Sequence, residues 1–190
     1  MTAAKKTWVR VQLLLIAAVF LGPLAIAALM YFSGGLQPIG RTNHGALLEP
    51  FVNIPAALPA SPTTTRIDGY WALVYLNDGA CAATCVRALH TIRQSRLMLG
   101  GEMKRLLRVF LHGESLPDTV FLDAEHAGLI SLRDSGFSSL LANKKPARLS
   151  GGGYFLLDPL GNLVMYFEPA LDPAHMVEDI KRLLKLSRIG

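Results

Sequence analysis

From Val11 to Phe32 the chain runs without a single charge, and Gln12 is the one polar side chain in that stretch. As an α-helix the run is about 33 Å long, enough to cross a hydrocarbon core of roughly 30 Å. A freely soluble cytosolic enzyme does not carry such a segment. Lys5, Lys6 and Arg10 precede it with no acid beside them, and after it no charge appears until Arg41. Basic flanks stay cytoplasmic, so the N-terminus is expected inside and everything after Ser33 outside. Tyr31 and Phe32 then sit at the outer interface, and Pro23 is tolerable within a membrane helix. A cleaved signal peptide is the alternative, because Ala25 and Ala27 have small-x-small spacing. The run is longer than the 7–15 residues of a signal core, which favours an uncleaved anchor.

The formal net charge is +5, and the three basic residues ahead of the anchor supply most of it. The basic balance is therefore a poor argument for nucleic acid binding. Residues 1–33 are read as a cytoplasmic tip plus anchor, and 34–65 as a proline- and glycine-rich linker. Gly34, Gly35, Pro38, Gly40, Pro50, Pro55, Pro59 and Pro62 keep such a segment extended. Within it lies "NHGALLEP", whose His44 is expected to be solvated.

Residues 66–190 are expected to form one folded domain. The strand signal "YWALVYL" (70–76) ends at the turn sequence Asn77-Asp78-Gly79. A helical stripe follows, with Val86, Leu89, Ile92, Leu97 and Met98 apolar and Gly100-Gly101 as its end. A second strand, "LLRVFLH" (106–112), completes a β-α-β unit whose crossover implies parallel neighbours. "TVFLD" (119–123) reads as a further short strand, and 125–142 as an interrupted helix. "YFLLD" and "LVMYF" form a hairpin around Pro159-Leu160-Gly161-Asn162. A final helix is capped by Asp172, with Pro173 at its first position. This order is that of an α/β, thioredoxin-like fold preceded by a single transmembrane helix.

The chain has two cysteines, Cys81 and Cys85, spaced C-x-x-x-C at the strand-to-helix junction. Four residues apart on a helix they share one face, with Cα atoms about 6 Å apart, near the upper end of what a disulfide accepts. As a staple the bond is poorly placed. Closing so small a loop removes only about 2 kcal/mol of unfolded-state entropy, against nearly 5 for a long loop. Unpaired N–H groups at the helix start favour a thiolate at Cys81. Cys81 is thus the expected attacking sulfur and Cys85 the resolving one, in an oxidising compartment.

The strand followed by "CAATC", the downstream "YFLLDPLGNLVMYF" and the anchor ahead together resemble the SCO/SenC family of cytochrome c oxidase assembly proteins. "NHGALLEP" and "EDIKRLLKLSRIG" resemble a bacterial subgroup of small anchored SCO-like proteins. The resemblance implies a thioredoxin-like domain in the periplasm, anchored by one pass in the bacterial inner membrane. It also implies a role in maturing the copper centre of oxidase subunit II, with that subunit or another copper or thiol assembly factor as partner. SCO proteins bind copper through the two cysteines and a histidine. Alignment on Asp158-Pro159 puts Ser150 at the histidine's place, so the family's copper(I) site lacks its third ligand. His90 falls out of phase on the cysteine helix. His112, at the end of the second strand, is the remaining candidate third metal ligand beside Cys81 and Cys85.

"SGGGY" lacks the lysine and helix of a phosphate loop and marks a tight loop near the cysteines. Arg87, Arg93 and Arg96 read as a solvated helix face. The expected protein is a candidate thiol–disulfide oxidoreductase held in the bilayer by residues 11–32. Its alternatives are a copper(I) metallochaperone with a non-standard third ligand and an assembly scaffold with incidental cysteines.

Overall fold

The computed structural model describes residues 3–33, 43–59, 61–115, 118–146 and 152–187, which fall into two compact units, Met1–Thr42 and Asn43–Gly190. The first unit is one helix, α1 (Ala3–Phe32), with Pro23 inside it. Its stretch Trp8–Phe32 has a mean hydropathy of 2.6, and none of it is buried within the protein. Leucine, valine and phenylalanine side chains coat its whole circumference. A helix this long and this apolar suits an apolar solvent, so α1 is the candidate membrane span.

The second unit is built on a six-stranded mixed sheet in the order β1-β6-β5-β2-β3-β4. Its elements, in chain order, are β1 (Ala46–Asn53), α2 (Ile54–Ala57), α3 (Pro62–Ile67), β2 (Trp71–Asn77), α4 (Ala83–Met98), β3 (Leu106–His112), α5 (Thr119–Glu125), β4 (Leu129–Leu132), α6 (Ser135–Lys144), β5 (Tyr154–Leu157), β6 (Asn162–Phe167) and α7 (Pro173–Leu186). β2 and β3 run parallel in unbroken register from Trp71 opposite Leu106 to Asn77 opposite His112. β4 continues parallel beyond β3, while β5 and β6 return antiparallel on the other side. β2 is apolar at nearly every position because both of its faces are covered. Leu73 and Tyr75 join a core with α4 and α7, and Ala72 and Val74 join a second core with Phe137 and Leu141 of α6.

The β-α-β unit, the hairpin and the capped last helix lie where the sequence predicts them. Asp158 shapes the hairpin turn by accepting from the N–H groups of Leu160 (2.9 Å) and Asn162 (2.8 Å). Asp172 caps α7 through the N–H of Ala174 at 2.8 Å.

The expected linker is different. Its second half folds into the domain, which begins at Asn43 and not at Arg66. β1 pairs antiparallel with β6, and its register shifts between Leu47 and Val52. Pro50 is tolerated there because an edge strand has a ladder on one side only. Pro55 and Pro62 each lie in the first turn of a short helix, capped by Asn53 and Ser61 respectively. These prolines therefore punctuate structure instead of keeping the chain loose.

Two buried aspartates hold this segment down. Asp179 on α7 accepts from the N–H groups of His44 (2.7 Å) and Gly45 (2.8 Å). Asp134 accepts from the hydroxyls of Ser61 (2.5 Å) and Thr63 (2.8 Å). His44 is not a solitary linker histidine. Its ring stacks on His175 with centroids 4.1 Å apart, and its Nε2 lies 3.3 Å from Glu178.

Three further expectations need correction. "TVFLD" is helical, because Asp118 caps it through the N–H of Phe121 at 3.1 Å. The stretch 125–142 holds strand β4 and then α6, separated from α5 by Gly128 at φ +77°. The buried stripe of α4 is Cys85, Ala88, Leu89, Ile92 and Ser95, while Val86, Leu97 and Met98 are exposed.

Candidate functional site

The cysteines follow the central strand directly. β2 ends at Asn77, whose side-chain amide donates to the carbonyl of Gly79 at 2.8 Å and so folds the chain back toward α4. Gly113, just past the end of β3, seals this turn from the neighbouring strand. Its N–H donates to the Asn77 carbonyl at 3.1 Å. A Cβ placed on Gly113 would lie 2.2 Å from the carbonyl oxygen of Asp78, so only glycine fits. Gly152 and Gly153 reach the same end of the sheet, lining a small cavity with Leu76, Asn77 and Asp78.

Cys81 and Cys85 form a disulfide with Cα atoms 5.0 Å apart. They do not sit on one helical face as expected. Cys81 precedes the N-cap, Ala82, and Cys85 lies in the first turn of α4. The two sulfurs differ in surroundings. Cys85 is 1% exposed in the core with Leu89 and Ile92, whereas Cys81 is half-buried against its edge. Gly79, Ala80, Ala82, Ala83 and Thr84 around them are small and exposed. Ala82 makes no side-chain cap, so N–H groups of the first turn are left for an anion at Cys81. Chemically this is a reachable sulfur, a shielded sulfur bonded to it, and a positive helix end that lowers a thiol's pKa.

His112 is at the end of β3, opposite Asn77 in the register. It is 9% exposed, its Nδ1 lies 3.0 Å from the carbonyl oxygen of Gly113, and its ring packs on Phe110. Among the described residues no three histidine, cysteine or acidic side chains come together as metal ligands. His112 is therefore not assembled with Cys81 and Cys85 into the expected trio. The soft sulfurs suit copper(I) once reduced, but they supply two ligands without a third. Ser150 lies outside the described residues. His90 is exposed on α4 while Cys85 faces inward, as its phase requires.

Sequence reasoning passed over Asp134, Asp179, Gly113 and the buried pair Arg108 and His126. The signal for Arg108 was its place in "LLRVFLH", on the same face of the strand as Leu106 and Phe110.

A family model described as transmembrane-like, thioredoxin-like, C-terminal domain matches residues 71–187. Among solved structures, yeast Sco1 is similar at a TM-score of 0.52 and 19% identity, covering 65% of this chain and 84% of that one. Arabidopsis thaliana ScoI with copper bound gives 0.51 and 16%, covering 65% and 89%. Yeast Sco1 with copper bound gives 0.50 and 17%, covering 65% and 80%. At such identities the likeness is one of fold, and the fold is thioredoxin-like. No curated protein sequence matches the chain. The matched stretch runs from the first residue of β2 through α7 and contains both cysteines, so the chain belongs to the family of the transmembrane-like, thioredoxin-like C-terminal domain.

Proposed function

We propose that this is a membrane-anchored thiol–disulfide protein whose Cys81–Cys85 pair reduces a partner disulfide in the periplasm during assembly of the oxidase copper centre. The observation that carries the reading is the asymmetric pair at an uncapped helix start, with Cys81 reachable and Cys85 buried. In the reduced protein the Cys81 thiolate attacks one sulfur of the partner's disulfide. A mixed disulfide forms and the partner's other sulfur leaves as a thiolate. Cys85, giving up its proton, then attacks the Cys81 sulfur and releases the partner's second thiolate. Two electrons pass to the partner, whose two thiolates take up the proton given up by Cys85 and one from solvent, and the Cys81–Cys85 bond is restored.

The exposed glycine and alanines around Cys81 leave room for a partner's backbone. The charge-free run from Val11 to Phe32, with Lys5, Lys6 and Arg10 before it, favours periplasmic display of the domain. Oxidase subunit II, or another copper or thiol assembly factor, is the partner that the SCO-like character suggests.

The test uses the full chain in neutral detergent. The Cys85→Ser variant should trap a mixed disulfide with a peptide carrying the paired cysteines of a copper centre, and Cys81→Ser should trap none. The unmodified pair should equilibrate with a thiol buffer as a two-electron couple. Failure to trap or to equilibrate ends the reading. The solved Sco structures that hold copper favour a second reading, copper(I) as cargo on the two thiolates. Anaerobic titration of the reduced chain, with thiols counted before and after, separates the two. One tightly held copper(I) per chain, protecting both thiols, selects the cargo reading.

A further inference from the structure

Between the turn that leads to Cys81 and helix α6 lies a cavity of about 350 Å³, whose wall includes Asp78, His112, Glu114, Arg133 and Ser138. It sits at the carboxyl ends of β2 and β3, where open α/β sheets place their ligand crevices. Two of its polar side chains are nine-tenths buried, Ser138 at 8% exposed and His112 at 9%. Nδ1 of His112 lies 3.0 Å from the carbonyl oxygen of Gly113. A carbonyl can only accept, so Nδ1 carries the proton of the neutral ring and Nε2 offers a lone pair. Neither that nitrogen nor the Ser138 hydroxyl has a hydrogen-bond partner among the described residues, and neither is sealed from solvent. Polar groups this deep are ordinarily paired, so an open acceptor and an open hydroxyl on one wall call for a polar guest.

The charges on the wall say which guest. Arg133 is paired with Glu114 at 2.9 Å. Asp78 is exposed and has no ion pair. Lys145, in the adjoining cavity that Asp78 also borders, has a partner other than Asp78. The positive end of α6 is already met by Asp134, its N-cap. One uncompensated carboxylate remains, three residues before Cys81 in the chain. Three peptide units hold the two Cα atoms at most about 11 Å apart.

We propose that this cavity receives a basic side chain, arginine or lysine, of the protein whose disulfide Cys81 attacks, a role that rests on the thiol-exchange reading. The guest's N–H groups donate to the Asp78 carboxylate, to His112 Nε2 and to the Ser138 hydroxyl oxygen, and its charge answers that of Asp78. An anion meets the Asp78 charge instead and is turned away. The pair of sites therefore selects partners that carry a basic residue a few positions from the attacked cysteine.

The test has two arms, and the first involves no thiol chemistry. The full chain, oxidised and in neutral detergent, is titrated with N-acetyl-arginine amide and separately with its uncharged counterpart, N-acetyl-citrulline amide. The His112 ring resonances should shift saturably with the arginine probe and not with the citrulline probe. Asp78→Asn should weaken the response at least tenfold, and Arg87→Gln, on the exposed face of α4, should leave it intact. In the second arm the Cys85→Ser variant meets two paired-cysteine peptides that differ only in arginine or citrulline three positions from the attacked cysteine. The arginine peptide should be trapped at least tenfold faster, and Asp78→Asn should erase the difference. An unsaturable shift, or the same shift with both probes, means that water alone fills the cavity and overturns the site. Equal trapping rates overturn the selection of partners and leave thiol exchange standing. If neither peptide is trapped while the arginine probe still binds, thiol exchange and the partner role fall together and the cation site stands.

Discussion

Asp134 joins a segment that looks like linker to the body of the domain, and its removal measures how firmly that segment is held. Its carboxylate accepts from Ser61 Oγ at 2.5 Å, Thr63 Oγ1 at 2.8 Å and the N–H of Phe137 at 3.0 Å, the last of these capping α6. Hydrogen bonds to a charged acceptor contribute about 1.5–3 kcal/mol each, and loss of an N-cap costs about 1 kcal/mol. The sum is reduced because Asp134→Ala also removes a carboxylate that is costly to bury, so about 3–4 kcal/mol is expected. For a unit of this size that corresponds to a fall of roughly 10 °C in melting midpoint. Asp134→Asn keeps the cap and an acceptor oxygen, and should cost about 1–2 kcal/mol.

The pH dependence gives an independent check. Burial is the largest influence on Asp134 and raises its pKa, but the hydrogen bonds from Ser61, Phe137 and Thr63 together outweigh it, and the net shift is downward from 3.8. A carboxyl whose folded pKa is depressed contributes its full stabilisation above the unfolded value and loses it as pH falls through the folded one. The gap between the parent and Asp134→Asn, followed by near-ultraviolet circular dichroism, should thus be constant near neutrality and close below pH 3.8. An Asn variant as stable as the parent at pH 7, or a gap that persists below the native pKa, would refute the reasoning.

Three shorter predictions follow from other parts of the fold. After reduction, iodoacetamide should modify Cys81 at least tenfold faster than Cys85, as read by mass spectrometry of the quenched protein, because Cys85 is 1% exposed. Gly113→Ala must displace the backbone at Asp78, since the added carbon would lie 2.2 Å from its carbonyl oxygen. A loss of about 2–4 kcal/mol and a changed thiol-exchange rate are expected from denaturant melts and stopped-flow assays. Asp179→Ala should release His44 and Gly45, cost about 3 kcal/mol, and speed hydrogen exchange at those two amides while the amides of β2 stay protected.

Hydrophobic periodicity made the centre of the domain legible. β2, β3 and the β5–β6 hairpin are apolar runs bounded by turn residues, and α7 announces itself through Asp172 and Pro173. The edges were harder to read because proline is ambiguous. Pro50, Pro55 and Pro62 are equally at home in a tether, on an edge strand and at a helix start, and what decides among them is distant: pairing with β6 for Pro50, and the caps from Asn53 and Ser61, the latter held by Asp134, for Pro55 and Pro62. α5 was misread because "TVFLD" is rich in strand-forming side chains, and a local cap from Asp118 overrides that preference. For the site, spacing put two sulfurs in reach of each other. It did not reveal that one precedes the helix while the other enters the core, since that offset depends on where α4 begins. Arg108 was hidden for a related reason. Alternation shows which face a side chain takes, but not whether a countercharge waits for it there.

The two rims of the sheet bear on how crowded copies avoid sticking together. One rim is β1, where Pro50 has no N–H to offer and the ladder slips between Leu47 and Val52. The other is β4, a stub of four residues. A neighbouring molecule that tried to prolong the ribbon would find a broken rail on one side and too short a rail on the other. Fibre-like growth is discouraged at both borders.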